Sequence, residues 1–288
     1  MKIGIVGNGF VGSSVAFGFS PQTGCDAEVK IYDKDETKST HALTEVVNDS
    51  DYIFLSVPTP SNQDGSISLD IIYNVFEDIH NTLDYKKDNQ PVILLRSTVT
   101  PGTTKKIQQK YTKMSIVFNP EFLTERSAKF DFINQSRFIL GGIWGDTSKV
   151  EHLYQWRFGK HIPIIKTNYE TAELIKYMNN CFFATKVSFM NEMKLISDKI
   201  GANWEDCICG FSMDGRVGHS HLNVPGPDGK MGFGGSCFPK DMQAMINFSD
   251  SLGTPSNVLK GTWKTNLEVR PEEDWKELKG RAVVDENN

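Results

Sequence analysis

A glycine-rich turn directly after the first apolar segment constrains the fold more than any other feature of this sequence. The chain begins MKIGIVGNGFVG, where Gly7, Gly9 and Gly12 form the pattern G-x-G-x-x-G. The first glycine permits a tight turn, the second lets a pyrophosphate approach the backbone, and the third lets a helix pack against the strand. Phe10 and Val11 then begin a helix whose first amides face the phosphates. The pattern predicts a dinucleotide site at this turn.

An acidic residue ends the next predicted strand. The segment VKIYDKD places Asp33 twenty-one positions after Gly12. A carboxylate at this place accepts hydrogen bonds from the ribose hydroxyls of NAD, and it repels the additional phosphate of NADP. The alternative is that Asp33 only starts a turn. NAD is the predicted cofactor.

Apolar and amphipathic segments alternate through the first half of the chain. Strands that alternate with helices predict an α/β fold, here a Rossmann-like, doubly wound parallel sheet over residues 1–166. Ligands of such sheets lie beyond the carboxyl ends of the strands. Polar turns that carry Thr59, Thr98 and Glu121 follow three of the predicted strands, DYIFLSVP, PVILLRST and SIVFNPEF. We therefore expect a site at this edge.

The second half predicts an all-helical domain over residues 167–270, followed by a C-terminal tail, 271–288. Its first helix, with Thr167 or Asn168 as its cap, runs long without Pro or Gly. Lys176 and Asn180 are four positions apart and share one helix face. Apolar neighbours would desolvate Lys176 and lower its pKa, which suits a proton acceptor or a cation beside an oxyanion. The alternative is a surface lysine near a capping asparagine.

The segment GFGGSCFPKD contains the cysteine with the most distinctive surroundings. Cys237 could be a buried apolar residue, a metal ligand or a nucleophile, and the five cysteines show neither a CxxC pair nor an even count. A helix beginning near Cys237, with Lys240 beside it, would lower the thiol pKa. Asp241 would then lie one turn further on. We interpret Cys237 as a nucleophile and predict no metal, with the pair at His219 and His221 as the alternative metal site.

The composition excludes several classes of partner. The formal net charge is −5, and no run of Lys or Arg suits nucleic acid or an anionic membrane. No apolar run reaches the length that spans a bilayer, and the first residues are typical of a strand, not of a signal peptide. We expect a cytoplasmic protein without nucleic-acid or membrane partners.

Seven motifs together resemble the UDP-glucose/GDP-mannose dehydrogenase family: GNGFVG, SVPTP, RSTVTPGT, NPEFLTERSA, ELIKYMNN, MDGRVG and GFGGSCFPKD. They occur in the order of that family, and the form C-F-P-K-D is closer to its UDP-glucose 6-dehydrogenases. The resemblance implies the oxidation of UDP-glucose to UDP-glucuronate with two NAD, through a thiohemiacetal and a thioester. It also implies a homodimer formed through the helical domain.

The resemblance further implies roles for single residues. Cys237 attacks the aldehyde, Lys176 assists alcohol deprotonation, and Asn180 donates to the oxyanion. Asp241 organises the water or the lysine. Two residues are implied near the hydrolytic water, Thr98 and Glu121. Residues implied at the cofactor are Thr59, Thr98, Glu125 and Lys240, and those implied at the substrate are Glu121, Phe122, Leu123, Lys176, Asn180, Phe233 and Gly234. Arg216 is implied to reach the sugar nucleotide of a neighbouring subunit.

Two departures from the family leave other functions open. Relatives usually continue into a third domain that holds the nucleotide, but only eighteen residues follow Arg270 here, and Arg126 stands where many relatives have glycine. One alternative is a two-domain hydroxyacid dehydrogenase, which also pairs Lys with Asn but needs no nucleophilic cysteine. The other is a truncated homologue with weak or no turnover.

Overall fold

The computed structural model describes residues 1–285 and divides the chain into two compact units. The first comprises Met1–Thr59 and Leu69–Lys176, and the second comprises Pro60–Ser68 and Tyr177–Asn288. Residues 286–288 of the predicted tail lie outside the described residues. The predicted domain limits, 166 and 270, were drawn from motifs and stay predictions.

The first unit is built on one sheet. Its strands are β1 Lys2–Val6, β2 Glu28–Tyr32, β3 Tyr52–Leu55, β4 Val92–Leu95, β5 Ser115–Phe118, β6 Phe138–Gly142 and β7 Ile164–Thr167. Within residues 1–285 they form a seven-stranded sheet in the order β2-β1-β3-β4-β5-β6-β7. The α/β class and the Rossmann-like sheet predicted from the alternating segments are therefore confirmed.

Helices cover both faces of this sheet. Successive side chains of a strand point to opposite faces, so one strand contributes to the apolar layer on each side. In β3, Ile53 packs into one apolar cluster and Phe54 into the other. The first cluster contains residues of α3 Asp70–Thr82 and α4 Thr103–Lys110, and the second contains residues of α1 Phe10–Gly18 and α6 Trp144–Phe158. The helices are α1 Phe10–Gly18, α2 Leu43–Asp49, α3 Asp70–Thr82, α4 Thr103–Lys110, α5 Ala128–Ile133 and α6 Trp144–Phe158, with short 3-10 helices at Pro21–Thr23 and Glu36–Lys38.

One strand pair departs from the predicted all-parallel sheet. β6 runs antiparallel to β5, with Val117 opposite Gly142 and Phe118 opposite Gly141, whereas the other pairs are parallel. The order strand, helix, strand is present here too, with the six-residue helix α5 between β5 and β6. That order alone therefore does not give the direction of the second strand.

The second unit is helical. It contains most of α7 Tyr169–Ile200, then α8 Trp204–Ser212, α9 Cys237–Ser251, α10 Asn257–Val269 and a 3-10 helix at Asp274–Glu277. The C-terminal segment packs within this unit: Trp275 is buried, and the backbone N–H of Val284 donates to the carbonyl of Ser61. In the part of the chain that the structure describes, no helix has the length and apolar character needed to cross a membrane.

Candidate active site

The glycine turn between β1 and α1 has the shape that a dinucleotide requires. A Cβ on Gly12 would lie 1.9 Å from the carbonyl oxygen of Gly7, and a Cβ on Gly7 would lie 2.4 Å from that of Ser56. Gly9, in contrast, has no heavy atom within 4 Å of its Cβ position. The packed positions close the turn, and the open one leaves the backbone accessible where a pyrophosphate would approach. The residues therefore fit NAD.

Asp33 is joined to the same turn. Its carboxylate accepts hydrogen bonds from the backbone N–H of Asn8 at 2.6 Å and of Asp35 at 2.9 Å. A carboxylate has about four lone-pair sites, so both oxygens keep acceptor capacity for ribose hydroxyls. This placement agrees with the predicted role of Asp33 at the cofactor.

The turns after β3 and β4 are connected directly. The hydroxyl of Ser97 donates to the carbonyl of Val57 at 2.7 Å and accepts the N–H of Val57 at 2.9 Å. Thr59 and Thr98 are both buried on these turns, and Glu125 is exposed. The structure thus brings the Thr59 and Thr98 segments together at the carboxyl edge of the sheet, as the sequence predicts.

A buried ion pair lies at the end of β5. The Nζ atom of Lys176, a residue only 3% exposed, is 2.7 Å from Oε1 of Glu121 and 2.6 Å from its carbonyl oxygen. The other carboxylate oxygen accepts the N–H of Leu123, and the ring of Phe122 lies 5.6 Å from the ammonium. The predicted buried surroundings of Lys176 are present, and its ammonium is paired with one carboxylate.

Sequence reasoning missed the polar network that holds Glu121 in place. Nη1 of Arg96 donates to Oδ1 of Asn119 at 2.6 Å, and the hydroxyl of Tyr154 donates to the same oxygen. Burial raises the pKa of Tyr154 to about 12, although the charge of Arg96 opposes this shift. Because Asn119 lies two residues before Glu121, this network fixes the exit of β5. An arginine inside an apolar strand segment was the available signal.

Glu173, one turn before Lys176 on α7, connects this helix to the N-terminus of α4. Asn168 does cap α7, since its Oδ1 accepts the N–H of Thr171 at 2.8 Å. The carboxylate of Glu173, however, accepts the N–H groups of Gly102 and Thr104 at 2.6 and 2.8 Å, at the N-terminus of α4. Burial raises the pKa of Glu173 to about 7, against the lowering effect of these hydrogen bonds. α7 is thereby tied to the segment after Thr98.

In the second unit, Cys237 is the first residue of α9, as predicted. It is half-buried, and its Sγ lies 3.8 Å from the hydroxyl of Ser236. A helix N-terminus presents N–H groups and a positive dipole end, which stabilise a thiolate. The geometry thus supplies one of the two features expected to activate this cysteine.

Asp241 is at the centre of the second unit's polar cluster. It is 1% exposed, and its carboxylate accepts hydrogen bonds from Asn180 Nδ2 at 2.6 Å and from Lys240 Nζ at 2.5 Å. Lys240, predicted at the cofactor, is therefore paired with Asp241. The structure brings Asn180, Lys240 and Asp241 together one helical turn after Cys237.

Cys181, a second cysteine in this unit, lies in surroundings different from those of Cys237. Cys181 is buried, and its Sγ lies 3.9 Å from the carbonyl oxygen of Asp241. Burial, followed by the charge of Asp241, raises the pKa of the Cys181 thiol to about 12. A thiol with that pKa is not a nucleophile at neutral pH.

The remaining predicted positions differ in their burial and contacts. Phe233 is buried, and Gly234 is half-buried against α10. Arg216 is exposed and forms an ion pair with Asp214. The ring of His221 stacks on Phe183 at 4.3 Å. Among residues 1–285 no group of three His, Cys, Asp or Glu could hold a metal ion.

Two family models match the chain. The UDP-glucose/GDP-mannose dehydrogenase family, NAD binding domain, matches residues 30–156, and the central domain of the same family matches residues 170–268. Together they span most of the sequence. The NAD prediction and the family resemblance are both confirmed.

Individual proteins give the same result. The chain is 40% identical to the uncharacterised protein MJ1054 of Methanocaldococcus jannaschii, over 70% of this chain and 22% of that protein. It is 35% identical to the UDP-glucose 6-dehydrogenase TuaD of Bacillus subtilis, over 80% of this chain and 49% of the relative. The solved UDP-glucose dehydrogenase of Pyrobaculum islandicum superposes with a TM-score of 0.80 at 26% identity, over 93% of this chain and 68% of that one. The chain thus spans at most about half the length of these two curated relatives.

Proposed function

The chain belongs to the UDP-glucose/GDP-mannose dehydrogenase family, and on that premise we propose that it oxidises the primary alcohol of a nucleotide sugar to a carboxylate with NAD. The proposed substrate is UDP-glucose and the product UDP-glucuronate, because the segment Cys-Phe-Pro-Lys-Asp resembles UDP-glucose 6-dehydrogenases and TuaD carries that name. One alcohol, one water and two NAD⁺ give one carboxylate, two NADH and three protons.

The observation that carries this proposal is the placement of Cys237. It begins a fifteen-residue helix and is half-buried, with the Lys240–Asp241 ion pair one turn further on. A four-electron oxidation that stops at the acid needs a group to hold the aldehyde, and a cysteine does so by forming a covalent bond. A hydroxyacid dehydrogenase has no step that requires such a thiol.

The ion pair of Lys176 and Glu121 serves the first oxidation. As the alcohol loses its hydroxyl proton, negative charge develops on the oxygen, and a buried ammonium stabilises that charge. Glu121 keeps Lys176 charged and can receive the proton through it. The turn from Gly7 to Gly12 and Asp33 would hold NAD, which would supply the hydride acceptor for the sugar carbon in each of the two oxidations.

Cys237 acts on the aldehyde. Its Sγ bonds to the carbonyl carbon, the carbonyl electron pair moves to the oxygen, and that oxygen takes a proton, which gives a thiohemiacetal. Asn180 donates to this oxygen, in the proposed role. After the second oxidation the same carbon is a thioester. Water adds to it, the C–S bond breaks, and the electron pair returns to Sγ, while Asp241 and Glu121 orient the water.

We also propose a homodimer through α7. Five exposed apolar side chains on this helix are spaced by four, seven, seven and four residues, which places them on one face: Met178, Phe182, Phe189, Ile196 and Ile200. Exposed stripes of this kind are typical of interfaces. In such a dimer Arg216 would reach the partner's sugar nucleotide, where its charge suits phosphate.

The test is NADH formation from UDP-glucose, GDP-mannose and UDP-N-acetylmannosamine, with products separated by chromatography. We expect two NADH for each UDP-glucose. Cys237→Ser should lower acid formation by about a thousandfold or more, as removal of a covalent nucleophile does in other enzymes.

The matched control is Cys207→Ser, which changes an exposed cysteine on α8 and should keep the parent rate. Acid formation by Cys237→Ser at the parent rate would overturn the mechanism. One NADH for each substrate without thiol sensitivity would identify a hydroxyacid dehydrogenase instead. NAD binding in calorimetry without turnover of any sugar nucleotide would identify a non-catalytic homologue.

A further inference from the structure

The glycine loop before Cys237 is held by side chains from α10 and the segment that follows it. Arg270, 2% exposed, forms two parallel hydrogen bonds to Asp274, from Nε at 2.9 Å and from Nη2 at 2.7 Å. Its Nη2 also donates to Asp228 at 2.8 Å, and its Nη1 donates to the carbonyl of Met231 at 3.3 Å. We name Arg270, Asp228 and Asp274 the Arg270 clamp.

The loop fits closely against this clamp. A Cβ on Gly234 would lie 2.4 Å from Nη2 of Arg270, and a Cβ on Gly232 would lie 2.5 Å from Oδ1 of Asn266. The loop backbone is bound at three further points: the N–H of Gly232 donates to Asn191, the N–H of Phe233 donates to Asn266, and Asn266 donates back to the carbonyl of Phe233. These contacts therefore hold the loop backbone in one conformation, in which positions 232 and 234 have no room for a side chain.

Aromatic packing extends the same connection to the start of α9. Trp275 lies 5.4 Å from Trp263, measured between ring centroids, and Trp263 lies 6.2 Å from Phe233. Phe233 in turn meets Phe238, the residue after Cys237, at 6.2 Å. The segment that follows Arg270 is thus packed, through three rings, against the residue next to Cys237.

We propose that Arg270 is a positioning residue for Cys237: its clamp fixes residues 228–236 in the conformation that presents the thiol and the loop backbone to the substrate. Arg270 acts through its contacts with the loop and with the two acids, and it takes part in no bond change. Two acids neutralise the buried guanidinium, and the fork geometry of arginine lets it bind both at once. Lysine has no such fork. Only the expected effect of Arg270 on turnover rests on the proposed function.

The first test measures the thiol directly, without any substrate. Cys237 and Cys207 are alkylated with iodoacetamide in the full chain, and the rate at each cysteine is followed by peptide mass spectrometry. In Arg270→Ala the Cys237 rate should change by about tenfold or more relative to Cys207, because charge-assisted hydrogen bonds of this kind carry tenfold to hundredfold effects. Lys264→Ala, an exposed change on α10 less than two turns before Arg270, should leave both rates as in the parent.

The second test separates positioning from general damage. In Arg270→Ala, kcat/KM for UDP-glucose should fall by about ten- to hundredfold while KM for NAD stays within about twofold. Added millimolar guanidinium should restore part of this loss in Arg270→Ala, and Arg270→Lys should resemble Arg270→Ala. If Arg270→Ala does not fold, Asp274→Asn, which keeps the shape of the side chain, decides the question by the same measurements.

Unchanged Cys237 alkylation in folded Arg270→Ala, or in Asp274→Asn where the alanine variant does not fold, overturns the proposal. Equal losses in KM for NAD and for the sugar nucleotide also overturn it. If the parent protein oxidises no nucleotide sugar, the proposed function fails, and the alkylation rates still decide the role of the clamp.

Discussion

Two glycine-rich stretches in this chain each lead into a helix, and they are fixed in different ways. The turn from Gly7 to Gly12 is closed by backbone: the atoms that exclude a side chain are the carbonyl oxygens of Gly7 and Ser56. The loop from Gly232 to Gly235 is closed by side chains instead: Asn266 on α10 excludes a Cβ at Gly232, and Arg270, directly after α10, excludes one at Gly234. The first stretch depends on the sheet, which every parallel α/β unit contains. The second depends on residues more than thirty positions further along the chain.

The largest effect is expected at the backbone-closed turn. In Gly12→Ala the new methyl would lie 1.9 Å from the carbonyl oxygen of Gly7, so β1 and α1 must separate, at a cost of about 3 kcal/mol or more. NAD binding should be lost with the turn. Urea unfolding gives the free energy of unfolding, and calorimetry gives the NAD affinity.

Gly9→Ala is the control for this prediction. Its methyl meets no heavy atom within 4 Å, so the free energy of unfolding should stay within about 0.5 kcal/mol of the parent. The methyl does occupy the space where a pyrophosphate would approach, so NAD affinity should fall by about tenfold, or 1.4 kcal/mol. A stable Gly12→Ala, or a Gly9→Ala with parental NAD affinity, contradicts this account of the turn.

A smaller, coupled effect is expected at the side-chain-closed loop. Gly234→Ala places a methyl against the guanidinium of Arg270 and should cost about 1 to 3 kcal/mol of stability. In an Arg270→Ala background that obstacle is gone, so the same change should cost much less, and the double-mutant cycle should show a coupling of about 1 kcal/mol or more. Urea unfolding of the four variants measures this coupling.

Gly235 provides the matched comparison. Its φ of 71° is the left-handed conformation, and no heavy atom lies within 4 Å of its Cβ position. Gly235→Ala should therefore cost about 1 to 2 kcal/mol from backbone strain alone, and Arg270→Ala should not alter that cost. If Gly234→Ala and Arg270→Ala are additive, the guanidinium of Arg270 does not hold the loop at Gly234.

The same difference explains what the sequence could predict. The glycine pattern, Asp33 and the alternating strands can be recognised from local patterns, because a parallel α/β unit always places these features at the same edge of its sheet, and the structure agrees with them. Likewise, Cys237 begins its helix as the local pattern indicates. The antiparallel β6, the cap that Glu173 gives to α4 and the network of Arg96 with Asn119 depend on partners that are distant in sequence. A periodicity or a local motif holds no information about such partners.

The Arg270 clamp was missed for this reason as well. Residues 271–288 have the composition of a tail. One of the two acids that bind Arg270 is Asp228, which lies 42 positions earlier in the chain. The family resemblance implied that Gly234 lies at the substrate. The structure adds that Gly232 packs closely against Asn266 and Gly234 against Arg270.

Lowering the pH should weaken the loop from Gly232 to Gly235. The loss of stability should be smaller than the losses expected in Gly12→Ala and Gly234→Ala. Hydrogen bonds from Arg270 lower the pKa of Asp274 to about 2, against the raising effect of burial. Because the folded pKa lies below the unfolded value of 3.8, the interaction contributes its full stability above about pH 4 and loses it as the pH falls towards 2. Asp274 is partly exposed, so we expect about 1 kcal/mol after solvent screening.

Asp274→Asn tests this expectation. The variant should be about 1 kcal/mol less stable than the parent at neutral pH and should converge with it at low pH, because protonation has already removed the charge there. In the parent, the protection of the Gly232 and Phe233 amides from hydrogen exchange, taken relative to the intrinsic rate at each pH, should fall in acid, whereas the protection of the Gly7 amide, which donates to the carbonyl of Tyr32, should not. Asp250→Asn, which removes an exposed ion pair with Lys260, is the control. Parallel stability curves for parent and Asp274→Asn across this pH range would show that charge does not hold the loop, and both glycine stretches would then depend on packing alone.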